Sequence, residues 1–115
     1  MDDDETSRHI EQVSARIRAA APPDLREHLL RAAAVHEERD PARLPADVAP
    51  VVLGFGEVWQ TDLDLDAYVD RHEGHLRPLL LFELAHEGTA TAAMRAVASH
   101  AGLADDFARW ERALV

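Results

Sequence analysis

The sequence predicts an all-α fold, a compact single-domain bundle of about six or seven short helices. Three observations support this prediction. Apolar residues recur at spacings of three and four along most of the chain, which is the period of an amphipathic helix. Prolines and glycines fall where those periodic stretches end. The length of 115 residues suffices for one hydrophobic core but not for two independent ones.

Two helices form a predicted N-terminal hairpin over about residues 5–38. In the first helix Val13 and Ile17 mark the apolar face, and acidic residues at its start interact favourably with the helix dipole. Pro22 and Pro23 end this helix, and Pro23 suits the first turn of the next one. The apolar face of the second helix is made of Leu25, Leu29, Ala32, Ala33 and His36.

A proline-rich connector is predicted over residues 40–50, because its three prolines rule out a continuous helix. The helical C-terminal part, residues 51–115, begins with an ambiguous segment. The β-branched and aromatic residues of 51–59 suit a strand, whereas Pro50 suits the start of a helix. We favour a helix because the sequence offers no second strand for pairing.

Helices follow one another through the rest of the chain. Thr61 and Asp64 have nearly the spacing of a capping box, and the helix that they begin should end near Gly74 and Pro78. Residues 79–86 are apolar on almost every side, which predicts a buried central helix. The residues expected to end or begin the last helices are Gly88, Thr89 or Thr91, Gly102, and Asp105 or Asp106.

The composition limits the chemistry that the chain can perform. It has 22 acidic residues against 12 basic ones, a formal net charge of -10. Such an excess opposes attraction to nucleic-acid phosphates or anionic lipid and favours a basic partner, although surface acidity is also an adaptation to high salt. All the basic residues are arginine, so Schiff-base chemistry on a lysine is excluded.

The chain contains no cysteine, which excludes disulfides, thiolate nucleophiles, iron–sulfur clusters and cysteine-type zinc sites. No secretory apolar region follows the first residue, and no apolar stretch approaches the roughly 20 residues of a membrane span. We therefore expect a cytoplasmic protein that acts away from membranes, and no residue pattern calls for a cofactor.

Four side chains form a candidate buried polar or metal cluster: His72, His75, Glu83 and His86. If residues 69–87 were one helix, about 100° per residue would bring all four within an arc of about 80°. Histidine and glutamate are ordinary zinc ligands, and Glu-x-x-His is the unit that di-iron bundles use twice, although only one unit is present here. The expected helix break before residue 79 favours the alternative, in which Glu83 pairs with an arginine in the core.

Residues 92–114 are similar to a helix-turn-helix, the DNA-binding motif, over about 20 residues. Val97 and Gly102 match the first helix and the turn. In the second half the inward positions of the motif hold Ala108 and Glu111, and the recognition helix would begin with two aspartates. A DNA-binding regulator is therefore an alternative that the net charge opposes.

Three aspartates and two tryptophans are candidate partner-binding residues. Asp62, Asp64 and Asp66 alternate with other residues as calcium ligands do, but the glycine and glutamate of a calcium loop are absent. They suit the start of a helix and could also form a docking face for a basic partner. Trp59 and Trp110 are candidate anchors, since tryptophan is enriched at binding hot spots, although it is equally common in cores.

The sequence thus predicts a small acidic protein-interaction domain with an accessory or regulatory role, of the immunity, antitoxin or adaptor type. No catalytic machinery is evident, because the three serines lack a histidine and aspartate relay in their local sequence. The expected partner is a basic protein, and the N-terminal helix could also form a homodimer. DNA binding by residues 92–114 is one alternative, and a metal-dependent or acid–base site around Glu83 and His86 is the other.

Overall fold

The computed structural model describes residues 3–35, 40–46, 48–53 and 64–114 of the chain. This part contains helices and turns without a β-strand, which confirms the predicted all-α bundle. It includes no helix with the length and apolarity needed to cross a membrane. The helices are α1 (Asp3–Ala20), α2 (Pro23–Val35), a 3-10 turn (Pro41–Arg43), α3 (Ala49–Leu53), α4 (Leu65–Arg71), α5 (Leu76–Glu87), α6 (Ala92–His100) and α7 (Ala104–Leu114).

Helix α5 is the centre of the bundle, as the apolar run over residues 79–86 predicts. All side chains from 78 to 85 are buried, and the helix contacts α1, α2, α3, α6 and α7. It begins at Leu76, earlier than expected, because a proline in the first turn has no intrahelical N–H bond to lose and Pro78 is tolerated there. It ends at Gly88, whose φ of 74° places it in the left-handed region that favours glycine.

Two arginines close the C-terminal ends of neighbouring helices. Arg16 on α1 donates a hydrogen bond from Nη1 to the carbonyl oxygen of Ala85 on α5, at 2.9 Å. Arg26 on α2 donates one from Nη2 to the carbonyl oxygen of Ala21, just after α1, at 3.0 Å. The last carbonyl groups of a helix lack intrahelical partners, and a cation is favoured at that end of the dipole. These contacts join α1 to both α5 and α2.

A turn over residues 72–75 separates α4 from α5, so residues 69–87 do not form one helix. The backbone N–H of His75 donates to the carbonyl oxygen of His72 at 2.8 Å, and Gly74 has a φ of 89°. The expected break therefore occurs, with Gly74 at its centre.

The ends of α6 follow the sequence signals closely. The Thr91 hydroxyl accepts a hydrogen bond from the backbone N–H of Met94 at 3.2 Å, which makes Thr91 the N-cap. At the other end Gly102 has a φ of 75°, and the N–H of Leu103 donates to the carbonyl oxygen of Ala98 at 2.7 Å. This is the Schellman pattern, in which a hydrophobic residue follows the glycine.

Two sequence predictions fall partly outside the described residues. Residues 51–53 belong to α3, a helix, whereas 54–59 lie outside the described part of the chain. Thr61 also lies outside it, and Asp64 is itself the N-cap of α4, accepting a hydrogen bond from the backbone N–H of Ala67 at 3.2 Å.

Candidate functional site

The side chains of the predicted polar cluster lie in different surroundings. Glu83 is fully buried on α5, at 0 % exposure. His72 is buried just after α4, with its ring centroid 4.7 Å from that of Tyr68. His75 lies half-buried in the turn before α5. Among the residues that the structure describes, no three His, Cys, Asp or Glu side chains are grouped so that they could hold a metal ion.

His86, the fourth member of that cluster, belongs to the contact between α5 and α1. Its ring meets the ring of His9 edge to face, with centroids 4.5 Å apart. Its Nδ1 atom lies 3.2 Å from a carboxylate oxygen of Glu87, and the ring of Phe82 is 6.2 Å away. Of the four predicted residues, His72 and Glu83 are thus buried, His75 lies in the turn before α5, and His86 lies where α5 meets α1.

Two aspartates of the predicted acidic docking face are exposed and also make contacts within the protein. Asp64 caps α4, and Asp66 lies 2.5 Å from Nε2 of His100, which joins α4 to α6. Asp62 and Trp59 lie outside the described residues. Trp110 is only 3 % exposed and packs in the core.

The segment similar to a helix-turn-helix does form two helices, α6 and α7, joined by a short glycine turn. Arg95 on α6 and Glu111 on α7 form an ion pair at 2.7 Å across the two helices. The exposed residues of α7 include Asp105, Arg109 and Arg112, and Arg109 is paired with Asp106. The outward face therefore mixes both signs of charge, whereas a recognition helix needs groups that attract phosphate.

A cleft that the sequence did not predict lies where α2, the start of α5 and the turn between α6 and α7 meet. Its volume is about 420 Å³, within the range of about 300–1,000 Å³ that is typical of ligand-binding pockets. We call it the histidine cleft. It is lined by Leu25, His28, Gly74, His75, Leu76, Arg77, Pro78, Ala101 and Leu103.

Most of the cleft wall is apolar, and its polar groups are two imidazoles and one guanidinium. His28 projects from α2 one turn after Leu25, and His75 lies in the turn before α5. Both imidazoles are half-buried. Because the turn centred on Gly74 precedes α5, His75 lies in the wall of this cleft and not on the buried face of α5.

Two carboxylates lie beside the cleft, each near a different nitrogen of Arg77. A carboxylate oxygen of Asp24 on α2 is 4.0 Å from Nη1, and one of Asp106 on α7 is 3.8 Å from Nε. Both separations exceed a hydrogen bond, and the Asp24 side chain is 68 % exposed. The pair with Asp24 is long and exposed and contributes little to stability, so Asp24 can exchange Arg77 for another cation. Asp106 is 26 % exposed and is also paired with Arg109.

The sequence pattern indicates only one of the two imidazoles of this cleft. His75 belongs to the candidate buried polar or metal cluster, whereas His28 belongs to no candidate site. The only local signal was its spacing of three from Leu25, which places both on one face of α2. The other walls come from segments far away along the chain, so their approach depends on how the helices pack.

Comparisons with protein-family models, with curated protein sequences and with solved structures found no match for this chain.

Proposed function

We propose that this protein is a small accessory or regulatory domain that binds a basic segment of a protein partner in the histidine cleft. The observation that carries the proposal is the cleft itself, an apolar depression of about 420 Å³ with carboxylates beside it. A peptide segment with an apolar side chain next to arginine or lysine suits this surface, because the apolar side chain fits the depression and the cation is attracted to the carboxylates.

The apolar wall supplies the affinity in this proposal. Leu25, Pro78 and Leu103 come from three different elements and face one depression. Transfer of an apolar side chain from water into such a depression is favourable by roughly 25 cal/mol for each Å² that is removed from water. A single aliphatic or aromatic anchor is therefore enough to localise a partner segment there.

The carboxylates supply the preference for a cation. Asp24 is 4.0 Å from Arg77 and largely exposed, which leaves it open to another cation, and Asp106 adds a second negative charge that it shares with Arg77 and Arg109. The formal net charge of -10 adds a long-range attraction for basic segments and speeds their association at low salt. An acidic partner would be opposed by the same charge.

The proposal is tested with a fluorescein-labelled peptide, GRKLLRKG, in an anisotropy titration at pH 7.5. We expect saturable binding below about 1 mM at 50 mM salt, and affinity at least about fivefold weaker at 300 mM, because salt screens charges over about 10 Å or less. Two control peptides separate the contributions of charge and of apolar contact to the affinity. GSQLLQSG lacks the cations, and GRKSSRKG lacks the apolar anchor. Both should bind more weakly than GRKLLRKG.

A pair of charge-matched variants locates the site. The double variant Asp24→Asn with Asp106→Asn should weaken binding of GRKLLRKG about tenfold, since it removes both carboxylates beside the cleft. The control double variant Glu11→Gln with Asp70→Asn removes two exposed acids that do not line the cleft, and should change the affinity less than about twofold. Equal losses in the two variants would overturn the proposed site.

A DNA-binding role for α6 and α7 is the second candidate, favoured by the Schellman turn that joins the two helices. A mixed-sequence DNA duplex is therefore added to the same titrations as a third comparison probe. Tighter binding of the duplex than of GRKLLRKG at 50 mM salt would favour this candidate over the peptide cleft.

A further inference from the structure

We infer that the segment bound in the histidine cleft is the C-terminal end of a partner chain. Its terminal carboxylate contacts Arg77, its last side chain is apolar and lies in the cleft, and basic residues precede that side chain. This inference rests on the proposed function and names the kind of segment that the same site accepts. It follows from the difference between the lining of the cleft, which carries a cation, and the carboxylates beside it.

Arg77 provides the cation for the terminal carboxylate. Among the described residues that line the cleft, it is the one permanently charged side chain, and none is acidic. The Arg77 side chain is 42 % exposed, and its Nε atom is buried without a hydrogen bond to the described residues. The carboxylate oxygens of Asp24 and Asp106 lie 4.0 Å from Nη1 and 3.8 Å from Nε, beyond hydrogen-bonding distance. The guanidinium therefore suits a closer carboxylate, which its terminal nitrogens can bind.

The first turn of α5 places backbone donors beside the same guanidinium. Leu76, Arg77 and Pro78 begin this helix of 12 residues and also line the cleft. The first N–H groups of a helix have no intrahelical partners, and the positive end of the helix dipole favours an anion. His75 is the N-cap residue, and its side chain makes no capping hydrogen bond. A carboxylate at the start of α5 would therefore meet both the dipole and Arg77.

The rest of the lining suits the apolar side chain of the residue that carries this carboxylate. Leu25, Ala101 and Leu103 face the cleft from α2 and from the turn between α6 and α7. The imidazoles of His28 and His75 each carry an N–H donor even when they are neutral, so they do not oppose an anion. A C-terminal leucine or similar residue thus offers both of the groups that the lining accepts.

The surroundings of the cleft explain the basic residues before the chain end. A net charge of -10 opposes a free anion, so cations in the ligand must offset its carboxylate. Asp106 is already paired with Arg109, whereas Asp24 is 68 % exposed and has only a long contact to Arg77. In an extended segment the last side chain and the one two residues earlier point to the same side, about 6.6 Å apart. A basic residue at that position can reach Asp24.

The test compares two forms of one fluorescein-labelled peptide, GGRKRKLL, with a free C-terminal carboxylate or with a C-terminal amide. Its composition equals that of GRKLLRKG, but the leucines stand at the end. Anisotropy titrations at pH 7.5 and 100 mM salt should give about tenfold higher affinity for the acid, because its carboxylate forms charge-assisted hydrogen bonds with Arg77. General attraction to a chain of net charge -10 predicts the opposite order, since the amide carries one more positive charge.

The variant Arg77→Gln tests whether this guanidinium causes the preference. It should weaken binding of the acid about tenfold, whereas binding of the amide should stay unchanged or become up to about threefold tighter, since a cation near the basic residues is removed. Arg18→Gln is the matched control. Arg18 is exposed on α1, which contributes no described residue to the cleft lining, so this variant should keep the tenfold preference.

The outcomes separate the inference from the proposed function. An acid form that binds no more tightly than the amide, or a tenfold preference that survives in Arg77→Gln, overturns the inference and leaves the proposed function standing. Absence of saturable binding by GRKLLRKG and by both forms of GGRKRKLL overturns both. The comparison of acid with amide uses the wild type, so it decides the inference even if Arg77→Gln does not fold.

Discussion

Single residues of the same chemical type have different roles here because their burial differs. Trp110 was a candidate anchor for a partner, yet it is 3 % exposed in the core beside α5, which α7 contacts. Glu83, a carboxylate, is fully buried on the central helix, whereas Asp24 is largely exposed beside the histidine cleft. Residue type alone therefore does not identify the functional surface of this protein.

Replacement of Trp110 by alanine should lower the free energy of unfolding by about 3–5 kcal/mol, because it removes a large buried side chain and leaves a cavity. Urea denaturation followed by circular dichroism measures the loss. Arg112→Ala is the control on the exposed side of the same helix and should change stability by less than about 0.5 kcal/mol. A loss below about 1 kcal/mol for Trp110→Ala would contradict its placement in the core.

The helix ends show which features of an element the sequence determines locally. The sequence predicts helix ends at Gly88, at Thr89 or Thr91, and at Gly102, and the structure has Gly88 and Gly102 with left-handed geometry and Thr91 as the N-cap. These signals are reliable because a cap depends on a few adjacent residues. Helix α5 begins at Leu76, before the start that Pro78 predicts, because a proline also fits inside the first turn.

Gly88→Ala should destabilise the protein more than Gly102→Ala does. Both glycines have a positive φ, of 74° and 75°, which costs an alanine about 1–2 kcal/mol. An added Cβ at Gly88 would lie 2.9 Å from the guanidinium carbon of Arg16, whereas nothing lies within 4 Å at Gly102. The guanidinium of Arg16 can move to relieve that clash, and weakening of its hydrogen bond to the carbonyl oxygen of Ala85 adds up to about 1 kcal/mol.

Each glycine variant is measured alone and in combination with Arg16→Ala, by thermal and urea unfolding. The differences give the coupling free energy between each glycine position and Arg16. The extra loss at Gly88 should disappear when Arg16 is already alanine, because the clashing group is then absent. Equal losses for Gly88→Ala and Gly102→Ala in the presence of Arg16 would show that the guanidinium does not close the end of α5.

For the whole molecule, the fold was predictable and the site was not. The spacing of apolar residues, the length of the chain and the positions of helix breakers predict an all-α bundle with residues 79–86 at its centre. These signals can be read from the sequence alone. The histidine cleft combines residues from 25–28, 74–78 and 101–103, whose approach depends on packing. The candidate cluster of four residues required one continuous helix over 69–87, and the turn at 72–75 interrupts that helix.

The central claim is that a basic segment with an apolar anchor binds in the histidine cleft. An NMR titration of ¹⁵N-labelled protein with unlabelled GRKLLRKG at pH 7.5 tests it most directly, because each backbone amide reports its own surroundings. We predict saturable shift changes concentrated at His28, Gly74, Arg77 and Leu103, with little change at exposed Asp70 on α4. Changes centred on another face, or none at millimolar peptide, would contradict the claim.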